Sequence, residues 1–236
     1  MIGIFSKTID SNLVEAIGYS GLDFMIFDQE HGTADLTIIQ NHIRATKITG
    51  MTSVIRVAEN NHNLIGSALD TGADAIQVPN ISSLEQAKSA IEAAKFHPQG
   101  NRGLCCFVKS AKFGTEEKTT YLNNANKKEL ILQVEGKKGI ESIDEILKLE
   151  NFDILFIGPY DLSQSLGYPG QVDHPVVVKA INELATKVKE SGKILGTFVD
   201  HTDKIKQFKE KGFGYIAFSV DLNIFSNTCK DLKNNY

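Results

Sequence analysis

The sequence predicts a closed (β/α)₈ barrel in a single domain, α/β in class, and three observations carry that reading. Eight short apolar runs alternate with stretches of helical periodicity at a spacing of roughly 25 to 30 residues. The 236-residue chain lies near the length of about 250 residues typical of such barrels, and no linker or composition shift divides it. Polar residues gather just past the C-terminal ends of the apolar runs, the rim where α/β folds place their chemistry. The rival fold, an open doubly wound sheet, lacks a Gly-x-Gly-x-x-Gly after its first strand.

Taken in order, Ile2 to Phe5 is the first strand, and Leu13, Val14 and Ile17 follow at helical spacing behind Asp10 or Ser11 as N-cap. Phe24 to Phe27 is a second buried strand, ended by Asp28-Gln29-Glu30-His31-Gly32, before a helical stripe from Leu36 to Ile48. Ser53 to Val57 is the third strand, with Arg56 near its end, followed by a helix over Leu64 to Leu69. Ala75 to Val78 is the fourth, ending at Pro79, and Ser82 or Ser83 caps the next helix with Glu85 or Gln86 three residues on. Phe96 to Thr115 has no clean period and is expected to be a functional loop or a subunit contact. Glu116 to Ala125 is a helical patch.

The stretch from Leu130 to Leu162 organises the rest. Apolar runs at Leu130 to Val134 and Ile154 to Ile157 flank a helical segment (Ile140, Ile143, Ile146, Leu147), a strand, helix, strand unit whose strands must be parallel. Gly158-Pro159 then reads as a stiff turn. Val176 to Val188 is helical, Ile194 to Val199 is the seventh strand, Ile205 to Phe208 lies on a helix, and Tyr215 to Val220 is the eighth strand. A last helix runs from about Leu222 to Leu232.

Composition excludes several classes. A hydrophobic share of 42% supports a sizeable core. A net charge of −4 without a basic run argues against nucleic acid as partner. No segment reaches 18 uninterrupted apolar residues, and the first residues carry no export pattern, so no membrane partner is expected. The three cysteines, two of them adjacent, make no disulfide framework or zinc spacing and fit a reducing cytoplasm.

On a barrel the strand-end residues converge: Asp28, Glu30 and His31 after the second strand, Arg56 on the third, Gln133 and Glu135 on the fifth, Asp161 after the sixth. Glu135 and Asp161 read as a hard-cation site, two carboxylates whose open positions water or substrate oxygens complete, which suits Mg²⁺ or Mn²⁺. His31 reads either as a histidine satisfied by a backbone carbonyl or as a general base. Arg56 reads either as the ion-pair partner of Asp28 or Glu30 or as donor to a developing oxyanion. Gln133 shares a face with Glu135, being two residues away on a strand. Asp70 closes the third helix, where a carboxylate sits poorly against the dipole and hints at another partner. Lys7, between Ser6 and Thr8 in a polar loop, reads as a surface residue rather than an imine-forming lysine.

These residues resemble the HpcH/HpaI class of metal-dependent pyruvate aldolases. The resemblance is collinear over nearly the whole chain, in GLDFMIFDQEH, VIRV, LDTGADAIQVPNISSLEQA, HPQGNRGL, ILQVE, IGPYDLSQSLG with His174-Pro175 after it, and GFGYIAFSVDLNIF. It implies a (β/α)₈ barrel, a hexamer whose last helix is exchanged between neighbours, and a divalent cation (Mg²⁺, Mn²⁺ or Co²⁺) held by Glu135 and Asp161. It further implies that Gln133 and the backbone at Tyr160 and Asp161 contact the pyruvate part of the substrate, and that His31 is the catalytic base. Arg56 would stabilise the enolate. Asp70, from an adjacent subunit, would raise the basicity of the histidine, and Asp28 would orient it from within the chain. The implied reaction is cleavage of a 4-hydroxy-2-oxoacid to pyruvate and an aldehyde. Two positions depart from the pattern: Gln29 stands where many members have glycine, and Gly136 where threonine is common. The chain also starts at its first strand, without the family's usual N-terminal helix. A citrate-lyase-like or citrate-forming enzyme is the alternative within the resemblance, and would need a basic groove for an acyl-CoA. A barrel retained only as a scaffold is the alternative outside it.

Overall fold

Eight parallel strands close on themselves in sequence order in the computed structural model, which describes residues 1–236. They are β1 (Ile2–Ser6), β2 (Phe24–Asp28), β3 (Thr52–Arg56), β4 (Ala75–Val78), β5 (Glu129–Val134), β6 (Ile154–Ile157), β7 (Ile194–Val199) and β8 (Tyr215–Val220). β1 pairs with both β2 and β8, so no strand edge is left open. The helices are α1 (Ser11–Gly18), α2 (Leu36–Thr49), α3 (His62–Asp70), α4 (Leu84–Ala94), α5 (Lys118–Asn126), α6 (Lys137–Glu141), α7 (Ile143–Ile146), α8 (Pro159–Ser165), α9 (Pro175–Ser191), α10 (Thr202–Glu210) and α11 (Asp221–Asn234). The single (β/α)₈ domain expected from the alternation is the fold observed.

Local chemistry starts the helices where the sequence suggests. The Asp10 carboxylate accepts the Asn12 N–H at 2.9 Å and Ser83, not Ser82, caps α4 by accepting from Gln86. Ser82 has the complementary role, donating its backbone N–H to the Gln86 side chain at 2.8 Å.

Two apolar shells hold the barrel. Forty buried residues lie between strands and helices, and a second cluster that includes Phe24, Ile26, Val54, Ala75, Ile131 and Phe156 fills the interior. Strand alternation continues each interior row upward to a polar residue: Phe24 and Ile26 lead to Asp28, Val54 to Arg56, Ala75 to Gln77, and Ile131 to Gln133. Register places Asp28 beside Arg56 and Arg56 beside Gln77. The interior therefore changes from hydrocarbon at the bottom to charge at the C-terminal rim.

Three segments differ from the sequence expectation. The helical segment between β5 and β6 is two short helices, α6 and α7, which meet at Ser142 (φ −92°, ψ −1°). The turn expected at Gly158-Pro159 opens α8: Pro159 occupies the first helical turn, where its missing N–H costs nothing. The stretch 96–115, read as a loop without a clean period, contains a 3₁₀ segment at Lys109–Gly114 and is anchored at its base. Phe96 and Ala111 pack on Tyr121 and Ala125, and the buried Lys95 donates to the carbonyls of Asn126 and Lys128 at 3.0 and 2.6 Å. Leu104, Phe107 and Phe113 along it are exposed.

Candidate active site

A cavity of about 300 Å³ opens at the C-terminal rim, walled by Asp28, His31, Arg56, Gln133, Glu135 and Asp161 together with Lys7, Tyr160 and apolar side chains beneath. Six residues singled out from strand ends on four different strands thus line one space. The topology brings them there because parallel strands all finish on the same rim.

Arg56 and Asp28 form its base. The Arg56 Nε donates to Asp28 Oδ1 at 2.9 Å, and a terminal guanidinium nitrogen lies 2.8 Å from Oδ2. The other terminal nitrogen lies 2.9 Å from Glu30 Oε2, and the guanidinium sits 4.7 Å over the Phe5 ring. The ion-pair reading of Arg56 is therefore correct as far as it goes, with both carboxylates rather than one. It does not use up the fork, since five N–H donors serve three contacts. Burial opposes ionisation of Asp28, but the bonds from Arg56, the His31 N–H and the charge of Lys7 outweigh it and hold the carboxyl below its ordinary value. Glu30 goes the other way, pushed up by burial that Arg56 does not fully offset.

His31 is exposed at the cavity mouth. Asp28 holds it by the backbone, Oδ1 accepting the His31 N–H at 3.2 Å, and not through the imidazole. Lys7 holds the following peptide, donating to the His31 carbonyl at 2.8 Å while lying 3.3 Å from Asp28 Oδ2. Lys7 is thus a residue of the site, contrary to the surface reading. The local sequence could not show this, because the loop is turned inward by Asp221 at the far end of the chain. That buried carboxylate accepts from the Ser6 hydroxyl at 2.8 Å and from the Thr8 N–H at 3.1 Å.

Glu135 is buried at 5% exposure yet only partly satisfied. Its Oε1 accepts the Asn80 N–H at 2.8 Å, and its Oε2 accepts from Gln133 Nε2 at 2.6 Å. Gln133 in turn accepts from the Gln77 amide. Burial pushes the Glu135 carboxyl up to about 7, against the two hydrogen bonds and with help from Glu30 and Asp161. Asp161 lies exposed in the first turn of α8, held by that helix rather than by a turn.

Two positioning residues escaped the sequence reading. Asn80 adopts a left-handed φ of 58°, which asparagine tolerates better than most residues. It reaches both carboxylates, its backbone N–H to Glu135 and its amide to Glu30 at 2.9 Å. Gly158 leaves the space that Glu135 occupies, since a Cβ there would lie 2.4 Å from Glu135 Oε2 and 2.9 Å from its Cβ. We therefore expect Gly158→Ala to displace the Glu135 carboxylate and weaken divalent-cation binding by roughly 10- to 100-fold, with little loss of helix content. Titration with Mn²⁺ alongside circular dichroism checks this, and an unchanged affinity would show that Glu135 does not depend on that space.

Asp70 does not join the cavity within one chain. Its carboxylate pairs with the Arg102 guanidinium at 2.5 Å, the partner its position at the end of α3 called for. Tyr160 stands over the cavity with its hydroxyl donating to Asp200, and burial together with that carboxylate pushes its phenol up to about 12.

Comparisons with known proteins identify the family. The profile of the HpcH/HpaI aldolase/citrate lyase family matches residues 1–228. The chain belongs to that family. It is 32% identical to a 2-keto-3-deoxy-L-rhamnonate aldolase of Escherichia coli, over 96% of this chain and 85% of that protein. It is 28% identical to a 2-dehydro-3,6-dideoxy-6-sulfogluconate aldolase of Pseudomonas putida, over 98% of this chain and 90% of that protein. Among solved structures, an HpcH/HpaI family protein from Burkholderia cenocepacia superposes with a TM-score of 0.94 at 28% identity, covering 100% of this chain and 93% of that one. This member of the HpcH/HpaI family is a carbon–carbon lyase of the aldolase kind.

The residues present fit a divalent cation. Three carboxylates (Asp28, Glu135, Asp161) line the cavity with only two fixed cations (Lys7, Arg56), and Arg56 neutralises Asp28 together with Glu30. Glu135 and Asp161 remain without a cationic partner, and each Glu135 oxygen keeps a lone pair beyond its one hydrogen bond. No group of three or more His, Cys, Asp or Glu side chains is placed to hold a metal by itself. A two-carboxylate site completed by water and substrate oxygens is the Mg²⁺ pattern rather than the zinc one.

Proposed function

We propose that this aldolase cleaves a 4-hydroxy-2-oxoacid to pyruvate and an aldehyde with the help of a divalent cation (Mg²⁺, Mn²⁺ or Co²⁺) at Glu135 and Asp161. The observation that supports this most directly is the buried, cation-free Glu135 carboxylate on the same cavity wall as an incompletely used Arg56 guanidinium. When bound, the cation supplies positive charge to the oxygens of the oxoacid and so lowers the cost of enolate formation. The chain's own residues do the rest. His31, at the mouth, takes the proton of the 4-hydroxyl. The electron pair of that O–H bond becomes the aldehyde C=O, the C3–C4 bond breaks, and its electrons become the enolate of pyruvate, which is then protonated at C3. The spare N–H groups of Arg56 donate to the enolate oxygen, and Gln133 with the backbone at Tyr160 and Asp161 orients the oxoacid end.

The names of the relatives point to a sugar-derived oxoacid as substrate. The alternative, citrate chemistry with an acyl-CoA, needs a basic groove, and Lys7 and Arg56 are the only lysine or arginine on the cavity wall, both engaged with carboxylates. Release of pyruvate from a panel of 4-hydroxy-2-oxoacids after addition of Mg²⁺ or Mn²⁺ tests the proposal. Release from none of them, with cleavage of a citryl substrate instead, would reverse it.

A homo-oligomer, in the hexameric arrangement of the family, is part of the same proposal. Along α11 the only buried residue is Asp221, while Leu222, Phe225 and Leu232 are 52%, 67% and 69% exposed. Such an apolar face needs a cover, and a neighbouring copy would also be the route by which Asp70 reaches a histidine. No helix is long and apolar enough to cross a membrane, and all three cysteines are free, as in a reducing cytoplasm.

His31→Ala should lower kcat by roughly 10²- to 10⁴-fold, the usual contribution of a general base, while Mn²⁺ affinity is retained. Loss of the cation in that variant would make His31 a ligand instead.

Acid should weaken cation binding. A proton competes with the cation for Glu135, whose folded-state value lies near 7, so the apparent Mn²⁺ affinity should fall about tenfold per pH unit below 7. The sign for stability is the reverse: because the folded value is raised above the unfolded one, protonated Glu135 favours the metal-free fold below pH about 4.5, and that advantage is lost as the pH rises through 7. Mn²⁺ titrations at pH 5.5, 6.5 and 7.5 check the competition, and a flat affinity would contradict it.

A further inference from the structure

A second cavity, of about 510 Å³, lies in the groove between α9 and α10 and meets the active-site cavity across one wall. Pro159, Tyr160 and Phe198 face both spaces. At that wall Tyr160 is 41% exposed, with its ring edge on Phe198 at 5.9 Å between centroids and its hydroxyl on Asp200. None of the roles assigned above uses the second space.

Volume gives the first reason to join the two. The active-site cavity of about 300 Å³ has room for about ten waters at roughly 30 Å³ each. The six non-hydrogen atoms of pyruvate, a cation and its waters take most of that. A longer aldehyde extends beyond it, and the neighbouring space shares the wall of Pro159, Tyr160 and Phe198.

The lining gives the second reason. Gln171, Asn182 and Gln207 offer amides, His174 an imidazole and Asp200 a carboxylate, against apolar flanks from Val178 and Ile181. Two lysines and two aspartates balance in number: Lys204 lies 2.5 Å from Asp173, Lys211 donates to the Asn182 amide oxygen at 3.4 Å, and Asp200 accepts from Tyr160. Donors and acceptors without a net field suit an uncharged chain of hydroxyl groups. A hydrocarbon tail would leave these amides without partners.

We propose that this groove is the subsite for the hydroxylated tail of the aldehyde, with Tyr160 and Phe198 forming the sill between the reacting carbon and the tail. The inference rests on the aldolase reading. It makes the α9–α10 face, rather than the barrel interior, the determinant of chain-length preference.

The test measures pyruvate addition to three aldehydes: glycolaldehyde, D-erythrose, and butanal, which has the length of erythrose without its hydroxyls. The intact protein should favour erythrose over butanal in kcat/KM. Val178→Phe, which fills the groove from a half-buried position on α9, should lower kcat/KM for erythrose by roughly tenfold or more and leave glycolaldehyde within about twofold. Retained glycolaldehyde addition also shows that the variant is folded. If Val178→Phe does not fold, Asn182→Trp, at an exposed position of the same helix, makes the same comparison. Unchanged erythrose addition in the filled variant, or equal loss with erythrose and glycolaldehyde, overturns the subsite while leaving the aldolase reading intact. Addition to none of the three by the intact protein overturns the aldolase reading itself.

Discussion

Glu135→Gln should abolish divalent-dependent cleavage while leaving the fold as stable as before or more so. The carboxylate is buried, burial pushes its pKa to about 7, and the nearby charges of Glu30 and Asp161 add to the same effect. Without a cation it is an unfavourable charge, and an amide of the same shape removes that charge. In the proposed function it is one of two ligands of the cation, and an amide there should not replace it without loss. The expected decrease exceeds the roughly 10- to 100-fold that loss of a supporting residue such as Gln133 would cause in metal affinity. Excess chelator should reproduce it in the unaltered protein, and Mg²⁺, Mn²⁺ or Co²⁺ should reverse it. Melting curves at pH 7.5 without metal, set beside pyruvate release with metal, separate the two effects. Full activity in excess chelator, or a lysine adduct of pyruvate trapped by borohydride, would instead mean imine chemistry.

Arg56→Lys should lower kcat by about 100-fold or more while changing KM little, because the loss is of an oxyanion donor that matters most once the enolate forms. The structure sharpens this expectation. Arg56 uses a side-on fork on Asp28, with contacts of 2.9 and 2.8 Å, and a third contact on Glu30. A lysine ammonium keeps the charge but cannot make those contacts and still present donors to the cavity. Exchange of the pyruvate methyl protons with solvent passes through the same enolate and should slow in parallel. Normal exchange with only a raised KM would make Arg56 a ground-state anchor. A variant that simply unfolds would mean that its pair with Asp28 is structural first, and Arg56→Gln, which keeps some hydrogen bonding without the charge, would then show the same loss of stability.

Much of this was legible in the chain itself. The apolar runs fixed the eight strands because a parallel strand covered on both faces has to be apolar nearly throughout. Period 2 then put Asp28, Arg56, Gln133 and Glu135 on the interior face, and the common direction of parallel strands put them on one rim. Those inferences need only local geometry and one closure rule. The short polar signals at Asp10 and Ser83 were readable for the same reason, since a cap acts on N–H groups two or three residues away.

Contacts distant in sequence were decided only by the folded molecule. Lys7 looked like a surface residue until Asp221, 214 residues away along the chain, turned its loop inward. Asn80 and Gly158 carry no motif, and their roles exist because β4, β5 and β6 end side by side around Glu135. Asp70 illustrates the same limit from the other side: its position at a helix end announced a missing partner, and the folded chain supplied Arg102. Sequence sets which residues can reach the rim. The distances that gather these polar residues around one cavity are set by the closure of the barrel.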